Sequence, residues 1–433
     1  MVRFIKGDTS KKIFKNSIYL TVGSIGSKLI GLFVYIYIAR MLGPSGYGDL
    51  QTVIRYVGLF AIITSFGLDM LALREGSRDR EHIHRIQNEY FPLRFHLSIL
   101  AVVLAVAIAF VLPYPFEIKF FITIASLLLL VGGAIPAGLS NHFDTTFRIV
   151  ERMEYVSIIQ IARIIFFAGL VGIGLHFYPE VITILVILII SSILGLILRY
   201  HYSKQFVHYS FSPKIDREKT ISTMKIAAWF GIGTLLFRIY TKVDVQMIYL
   251  LSGSEEVGFY SAAWQIVEGG TIFLTALSLS IFPTSSRKIL TPGYSQKLMK
   301  VVGLLVAITG AFSAGIAYFS DRIVDILFGS EYESSGIILS ILIWFIPLRF
   351  VMLWGNQILE TTNALKTRIS GYVIPAIINI ILNAILIPMH GAVGAAMASI
   401  AATLVMCIMI SYLGRNVLKK VMNNPEKAMG AVW

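Results

Sequence analysis

A single cysteine, Cys407, is all that this 433-residue chain carries, so no intrachain disulfide can form. Charge is scarce too: Asp, Glu, Lys and Arg make up 14% of the residues, against 56% hydrophobic ones. With a mean hydropathy of +0.76, the chain has too little polar surface to face water all round; much of it must face lipid. Other chemistry is missing as well. No glycine-rich segment ends in the Lys-Ser/Thr of a phosphate-binding loop, and no nucleophile–His–acid trio stands out. The eight histidines are scattered, and His82 and His84 lie in a charged loop without the further ligands a metal needs. A cleavable leader is not expected, because the apolar stretch after Lys15 runs to about residue 38, longer than a signal-peptide core.

What is present is a series of apolar runs, each near the roughly 20 residues that cross a bilayer as helix. They fall at 17–39, 47–72, 95–112, 119–139, 155–176, 181–199, 224–251, 258–286, 299–319, 336–357, 368–388 and 391–414. The runs are continuous rather than alternating, which selects helices over a barrel. The expected fold is therefore all-α, with about twelve transmembrane helices.

The formal charge of +13 would suit nucleic acid if it were clustered for that purpose. Its distribution points to a membrane instead. With the N-terminus inside, 28 of the 37 Lys and Arg fall in or beside the terminal segments and even-numbered connections, and only Arg40, Lys119 and Arg322 fall outside. This is the positive-inside pattern. It places both termini in the cytoplasm and gives no reason to invoke nucleic acid.

The two halves resemble each other. LGPSGYGDLQTV (42–53) joins the first two spans, and LSGSEEVGFYSAAW (251–264) joins the seventh and eighth. Gly43 and Gly253 are 210 residues apart, and the same offset carries Lys28 onto Arg238; Asp144-Thr145-Thr146 is echoed by Glu360-Thr361-Thr362. An even number of spans per half gives both halves one orientation, related by a pseudo-two-fold along the membrane normal. The expected organisation is an N-terminal lobe (1–205), a polar cytoplasmic linker (206–223) and a C-terminal lobe (224–433), with a central cleft.

Charges inside the spans cost several kcal/mol unless hydrated or paired. Lys28, Arg55, Arg163, Arg238, Lys242 and Arg349 outnumber Asp69, Asp244 and Glu268. Arg238 and Lys242 share a helical face. A cationic cleft suits an anion such as phosphate, for which arginine offers a forked donor and lysine a point charge. Lys28, Arg55, Arg163, Arg238 and Lys242 are the candidate phosphate ligands. Structural ion pairing is the competing reading, and Asp69 and Arg349 are close enough to span ends to snorkel. Asp244 and Glu268 are candidates for ion coupling or charge pairing. Trp264 and Gln265 share a polar-aromatic face with Glu268; Asn379 and Asn383 suit either a sugar or a neighbouring helix.

The stretches NSIYLTVGSIGSKLIGLFVYIYIARMLGPSGYGDLQTV and VDVQMIYLLSGSEEVGFYSAAWQIV resemble the polysaccharide-biosynthesis membrane proteins, the O-antigen-type flippases of the multidrug/oligosaccharidyl-lipid/polysaccharide exporter superfamily. The resemblance implies a MATE-like pair of six-helix lobes, and the missing catalytic motifs add the expectation that the chain is not an enzyme. It also implies alternating-access transfer of polyprenyl-(di)phosphate-linked oligosaccharide across the cell membrane. Glycan-assembly enzymes would then be neighbours, and a coupling ion, Na+ or H+, is common in the superfamily without a motif here that selects one. The rival readings are a cation-coupled drug extruder of the same fold and a membrane scaffold that transports nothing.

Overall fold

The computed structural model describes residues 8–79, 81–210, 242–271, 293–362 and 364–423, with a few isolated positions between. The described segments are helical and joined by turns. Seven of the helices are long and apolar enough to cross a membrane, and the chain is a multi-pass membrane protein. By internal contacts it divides into two compact units, residues 1–42 with 49–235 and residues 43–48 with 236–433.

The first unit opens with α1 (Asp8–Ser65). Its apolar stretch, Ile25–Ser65, is 41 residues long; as one rod this would reach about 60 Å, twice the hydrocarbon thickness. The stretch therefore makes two crossings. Gly43 breaks the ladder with φ 66 and ψ 176, and Pro44 restarts it as the first residue of a new helix, where its missing N–H costs nothing. Next come α2 (Leu68–Arg78), α3 (Ile83–Val111), α4 (Phe116–Ala125), α5 (Leu127–Val131), α6 (Gly138–Ile149), α7 (Met153–Phe177) and α8 (Val181–Ser203).

Two expectations need correcting here. The span expected at 95–112 belongs to a 29-residue helix that starts twelve residues earlier, because its polar first turns pack inward through Tyr90 and Leu93 against Leu68, Leu71 and Ala72 of α2. The span expected to reach 139 stops at Val131, where Gly132 and Gly133 take positive φ. After it lies α6, a helix the hydropathy pattern does not announce, since its buried face carries Ser140, His142, Asp144, Thr145 and Thr146.

The exit from α8 runs back along the start of α3. His208 donates its N–H to Nδ1 of His84 at 2.9 Å. Asn88 clasps the same segment twice, donating from Nδ2 to the His208 carbonyl at 2.8 Å and accepting from the Ser210 N–H at 2.7 Å. Removing both Asn88 bonds with Asn88→Ala is expected to speed hydrogen exchange at Ser210 at least tenfold, the equivalent of about one net hydrogen bond. Amide-resolved exchange mass spectrometry reads this directly, and unchanged protection would show that the clasp is not what holds the segment.

In the second unit the helices are α9 (242–252), α10 (Ser254–Gly270), α11 (Tyr294–Tyr318), α12 (Ser320–Phe328), α13 (Ser335–Leu342), α14 (Phe345–Thr361) and α15 (Leu365–Asn423). A core of Met352, Leu359, Ala376, Ala402, Met406, Cys407 and Ile410 ties α14 to α15. The latter is 59 residues long and breaks at Gly391, so it too makes two crossings.

The turn 43–48 packs within this unit against the start of α10. A Cβ added at Gly48 would sit 1.8 Å from the carbonyl oxygen of Ser254, and one added at Gly258 would sit 2.0 Å from that of Pro44. With the 210-residue offset, Gly48 corresponds to Gly258 and Pro44 to Ser254, so the contact is reciprocal. Gly253, the counterpart of Gly43, has the matching φ 92 and ψ 179, a region open essentially to glycine alone. The repeated turn seen in the sequence is thus a repeated backbone shape.

Candidate functional site

In the first unit, two acids on or near α6 are neutralised. Asp69 accepts from Nη2 of Arg94 and, at 3.3 Å, from the hydroxyl of Thr145. It is therefore paired inward rather than extended to an interface. The neighbouring Asp144 accepts from Nε of Arg199 at 2.8 Å, with side chains only 12% and 4% exposed. The same arginine donates from Nη1 to the Gly195 carbonyl at 3.2 Å. Sequence reasoning missed both arginines, because each lies at a span end where the positive-inside rule already accounts for it. The adjoining Asp144-Thr145-Thr146 was the available signal.

Among the described residues, three candidate cations of this unit have no such carboxylate partner. Arg163 is buried, its aliphatic stem resting on Gly195 beside Arg199, and its Nε meets no acceptor. One turn along α7, Phe167 packs with the ring of Tyr35 at 6.4 Å. Arg55 is buried with Gln51 and Thr52 on the preceding turn. Lys28 is exposed. Among the described residues no carboxylate ion-pairs with Lys28, Arg55 or Arg163. Arg55 and Arg163 lie ten or eleven residues into their spans, about 15 Å deep. A cation at that depth needs water or an anion.

In the second unit, Arg238 lies outside the described residues and Lys242 is half-buried. Asp244 is buried and accepts a 2.5 Å bond from the Tyr260 hydroxyl, which is itself 3.3 Å from Oγ of Ser399. Its other oxygen accepts from the N–H of Val245 at 3.0 Å. Asn379 and Asn383, which suited either a sugar or a neighbouring helix, bond to each other along one helix at 3.1 Å. Both are buried, and Oδ1 of Asn383 has no acceptor role filled. The four-residue spacing puts them on one face, where the intrahelical bond forms without ordering anything else.

The remaining expected face does assemble. Trp264 donates from Nε1 to Glu268 at 3.2 Å, and its ring stacks on Tyr260, with centroids 6.2 Å apart and planes at 7°. Phe345 meets it edge-on at 5.0 Å, and the Arg349 guanidinium lies over Phe345 at 5.3 Å. Gln265 is half-buried next to Trp264. Chemically, the first unit offers positive charge in search of an anion. The second offers a shielded carboxylate and a polar-aromatic face.

The fold is one that known transporters share. The inward-facing structure of a multidrug resistance MATE family transporter of the MOP superfamily superposes with a TM-score of 0.72 over 94% of this chain and 99% of that one, at 13% identity. Closer in sequence are two Haloferax volcanii proteins. AglR, described as a probable flippase, is 30% identical over 277 residues, 60% of this chain and 53% of AglR. Agl15, described as a probable low-salt glycan biosynthesis flippase, is 32% identical over 166 residues, 37% of this chain and 34% of Agl15. The chain thus spans about half of one and a third of the other. Residues 13–288 match the model of the polysaccharide biosynthesis protein family, more than half of the 433 residues, and the chain belongs to that family.

Proposed function

We propose that this protein moves polyprenyl-(di)phosphate-linked oligosaccharide from the cytoplasmic to the outer leaflet of the cell membrane by alternating access. The observation that carries the reading is that, among the described residues, no carboxylate pairs with Arg55 or Arg163 at mid-span depth, nor with Lys28 on the first span. Held there, a guanidinium offers the forked donor that a phosphate accepts. Arg238 and Lys242 are the candidate phosphate ligands of the second unit. The lipid tail stays in hydrocarbon while the glycan travels in water, which avoids carrying its hydroxyls through an apolar phase. Two flippase-named relatives support the reading, and the family description fits a surface-glycan role in which glycosyltransferases supply the cargo.

Asp244 is the candidate coupling group in this scheme. Its carboxylate, shielded by Tyr260 and near Ser399, would take up a Na+ or H+ and exchange the Tyr260 bond for the ion. Membrane lipids are the remaining partner, and both termini are assigned to the cytoplasm on the distribution of Lys and Arg.

The test is reconstitution in liposomes with a fluorescent lipid-linked oligosaccharide. Wild-type protein should accelerate its leaflet exchange, and Arg55→Ala should reduce the rate at least tenfold, about the loss of one charge-assisted bond, with Lys28→Ala acting in the same direction. Exchange no faster than in empty vesicles, with or without an ion gradient, would remove the proposal. The likeness to a drug transporter favours one rival, an extruder of cationic drugs. Drug sensitivity that follows expression of the protein would support it, although Arg55 and Arg163, which meet no carboxylate among the described residues, would repel such cargo.

A further inference from the structure

We infer that the Tyr260–Trp264–Phe345–Arg349 ladder, with Glu268 at its edge, is a carbohydrate-binding subsite on the second unit. The inference rests on the flippase reading and names where the sugar would be held. Its starting point is depth. Trp264 and Phe345 each lie ten residues beyond the first residue of α10 and of α13, and Glu268 and Arg349 each lie fourteen beyond. At 1.5 Å per residue these are about 15 and 21 Å along the chain's path, which puts all four residues within the spans expected at 258–286 and 336–357. Yet Glu268 and Arg349 are exposed. Arg349 is long enough to reach toward the span end, but the exposed Glu268 carboxylate is too short to do so and at that depth faces water, not lipid, so this side of the second unit is a wetted surface.

The chemistry of that surface is specific. Trp264 is only half-buried and held rigidly between the stacked Tyr260 ring and the edge-on Phe345 ring. A fixed indole presents apolar area with a polar tip at little entropic cost, which suits the C–H face of a pyranose. Glu268 is held toward the indole by its bond from Nε1 and keeps acceptor capacity for hydroxyl groups. Arg349 over Phe345 supplies forked donors. An aromatic wall with the carboxylate alone would suit an organic cation. With the Arg349 guanidinium over Phe345 at the other end of the same ladder, the surface carries one charge of each sign, and a neutral polyol is the better fit. Glu268 is thereby assigned to sugar hydroxyls, leaving ion coupling to Asp244.

The experiment compares two probes on detergent-solubilised full-length protein by isothermal calorimetry: a short-chain polyprenyl diphosphate, and the same lipid bearing a disaccharide, drawn from a small panel of disaccharides. Wild type is expected to bind at least one glycosylated probe roughly tenfold more tightly than the bare lipid. Trp264→Ala should erase that difference while leaving the affinity for the bare lipid unchanged. Trp264→Phe should retain part of it, and Glu268→Gln and Arg349→Lys should each reduce it. A thermal-melt comparison confirms that each variant is folded. If wild type shows no gain from any sugar, or if Trp264→Ala keeps the gain or weakens both probes equally, the subsite is overturned. Failure of wild type to bind either probe would instead reject the flippase reading itself.

Discussion

Arg199→Met is expected to be the most damaging single charge removal in the first unit, costing about 3–5 kcal/mol, because it strands a buried carboxylate. Asp144 has an ordered 2.8 Å bond to Arg199 and a side chain only 12% exposed, so water cannot take the arginine's place. Pairing the change with Asp144→Asn should recover most of the loss, since a neutral amide is far cheaper to bury than an unpaired anion. Thermal unfolding in detergent would show a drop of several degrees for the single variant and a much smaller one for the double. If both variants melt together near the wild-type temperature, the pair contributes nothing to the fold. The companion change Arg94→Met should cost less, because Asp69 is 26% exposed and can be partly solvated.

The second large effect is steric. Gly258→Val is expected to abolish recovery of folded protein, and Gly48→Val should do the same. Each new side chain would start about 2 Å from a backbone carbonyl oxygen, of Pro44 and Ser254 respectively. Backbone cannot turn away as a flexible side chain can, so the cost exceeds the ~3 kcal/mol typical of overpacking. Gly303→Ala is the control: it sits in α11 with nothing within 4 Å of its added Cβ and should express normally. Size-exclusion profiles of the three variants decide the matter. A monodisperse Gly258→Val would mean that the two turns do not meet as described.

The spans and the repeated turn could be read in the sequence because each rests on a one-dimensional signal. Apolar runs report the solvent, and Gly43 with Gly253 report a φ that only glycine tolerates well. What stayed hidden is what depends on partners. The α6 helix reads as a polar loop because hydropathy counts His142, Asp144, Thr145 and Thr146 as hydrophilic, although Arg199 pairs with Asp144, hydrogen bonds take up Thr145 and Thr146, and the Phe91, Phe143 and Tyr209 rings pack around His142. Arg94 and Arg199 look like ordinary cytoplasmic flanks, since their place in the sequence is the same whether they point outward or inward.

The candidate site divides along the same line. Lys28, Arg55, Arg163, Asp244 and Glu268 could be picked out because charge inside an apolar run is conspicuous. That Asp244 is shielded by Tyr260, or that Trp264 sits against Phe345 from a helix eighty residues away, is a matter of side-chain placement with no counterpart in spacing. Arg349, which the sequence marked as a span cation close enough to an end to snorkel, lies over the Phe345 ring, a placement that spacing does not show.

The junction where Gly48 faces Ser254 and Gly258 faces Pro44 also bears on ancestry. A gene copied end to end begins with identical stretches, so a small residue that admits its neighbour's carbonyl in one copy is met by the same provision in the other. The lock and its key arise together. Thereafter neither stretch can drift toward bulk without spoiling the other, while the rest of the duplicated sequence is at liberty to diverge. If the two halves descend from one duplicated sequence, such a junction would be kept by mutual fit while likeness elsewhere is free to fade.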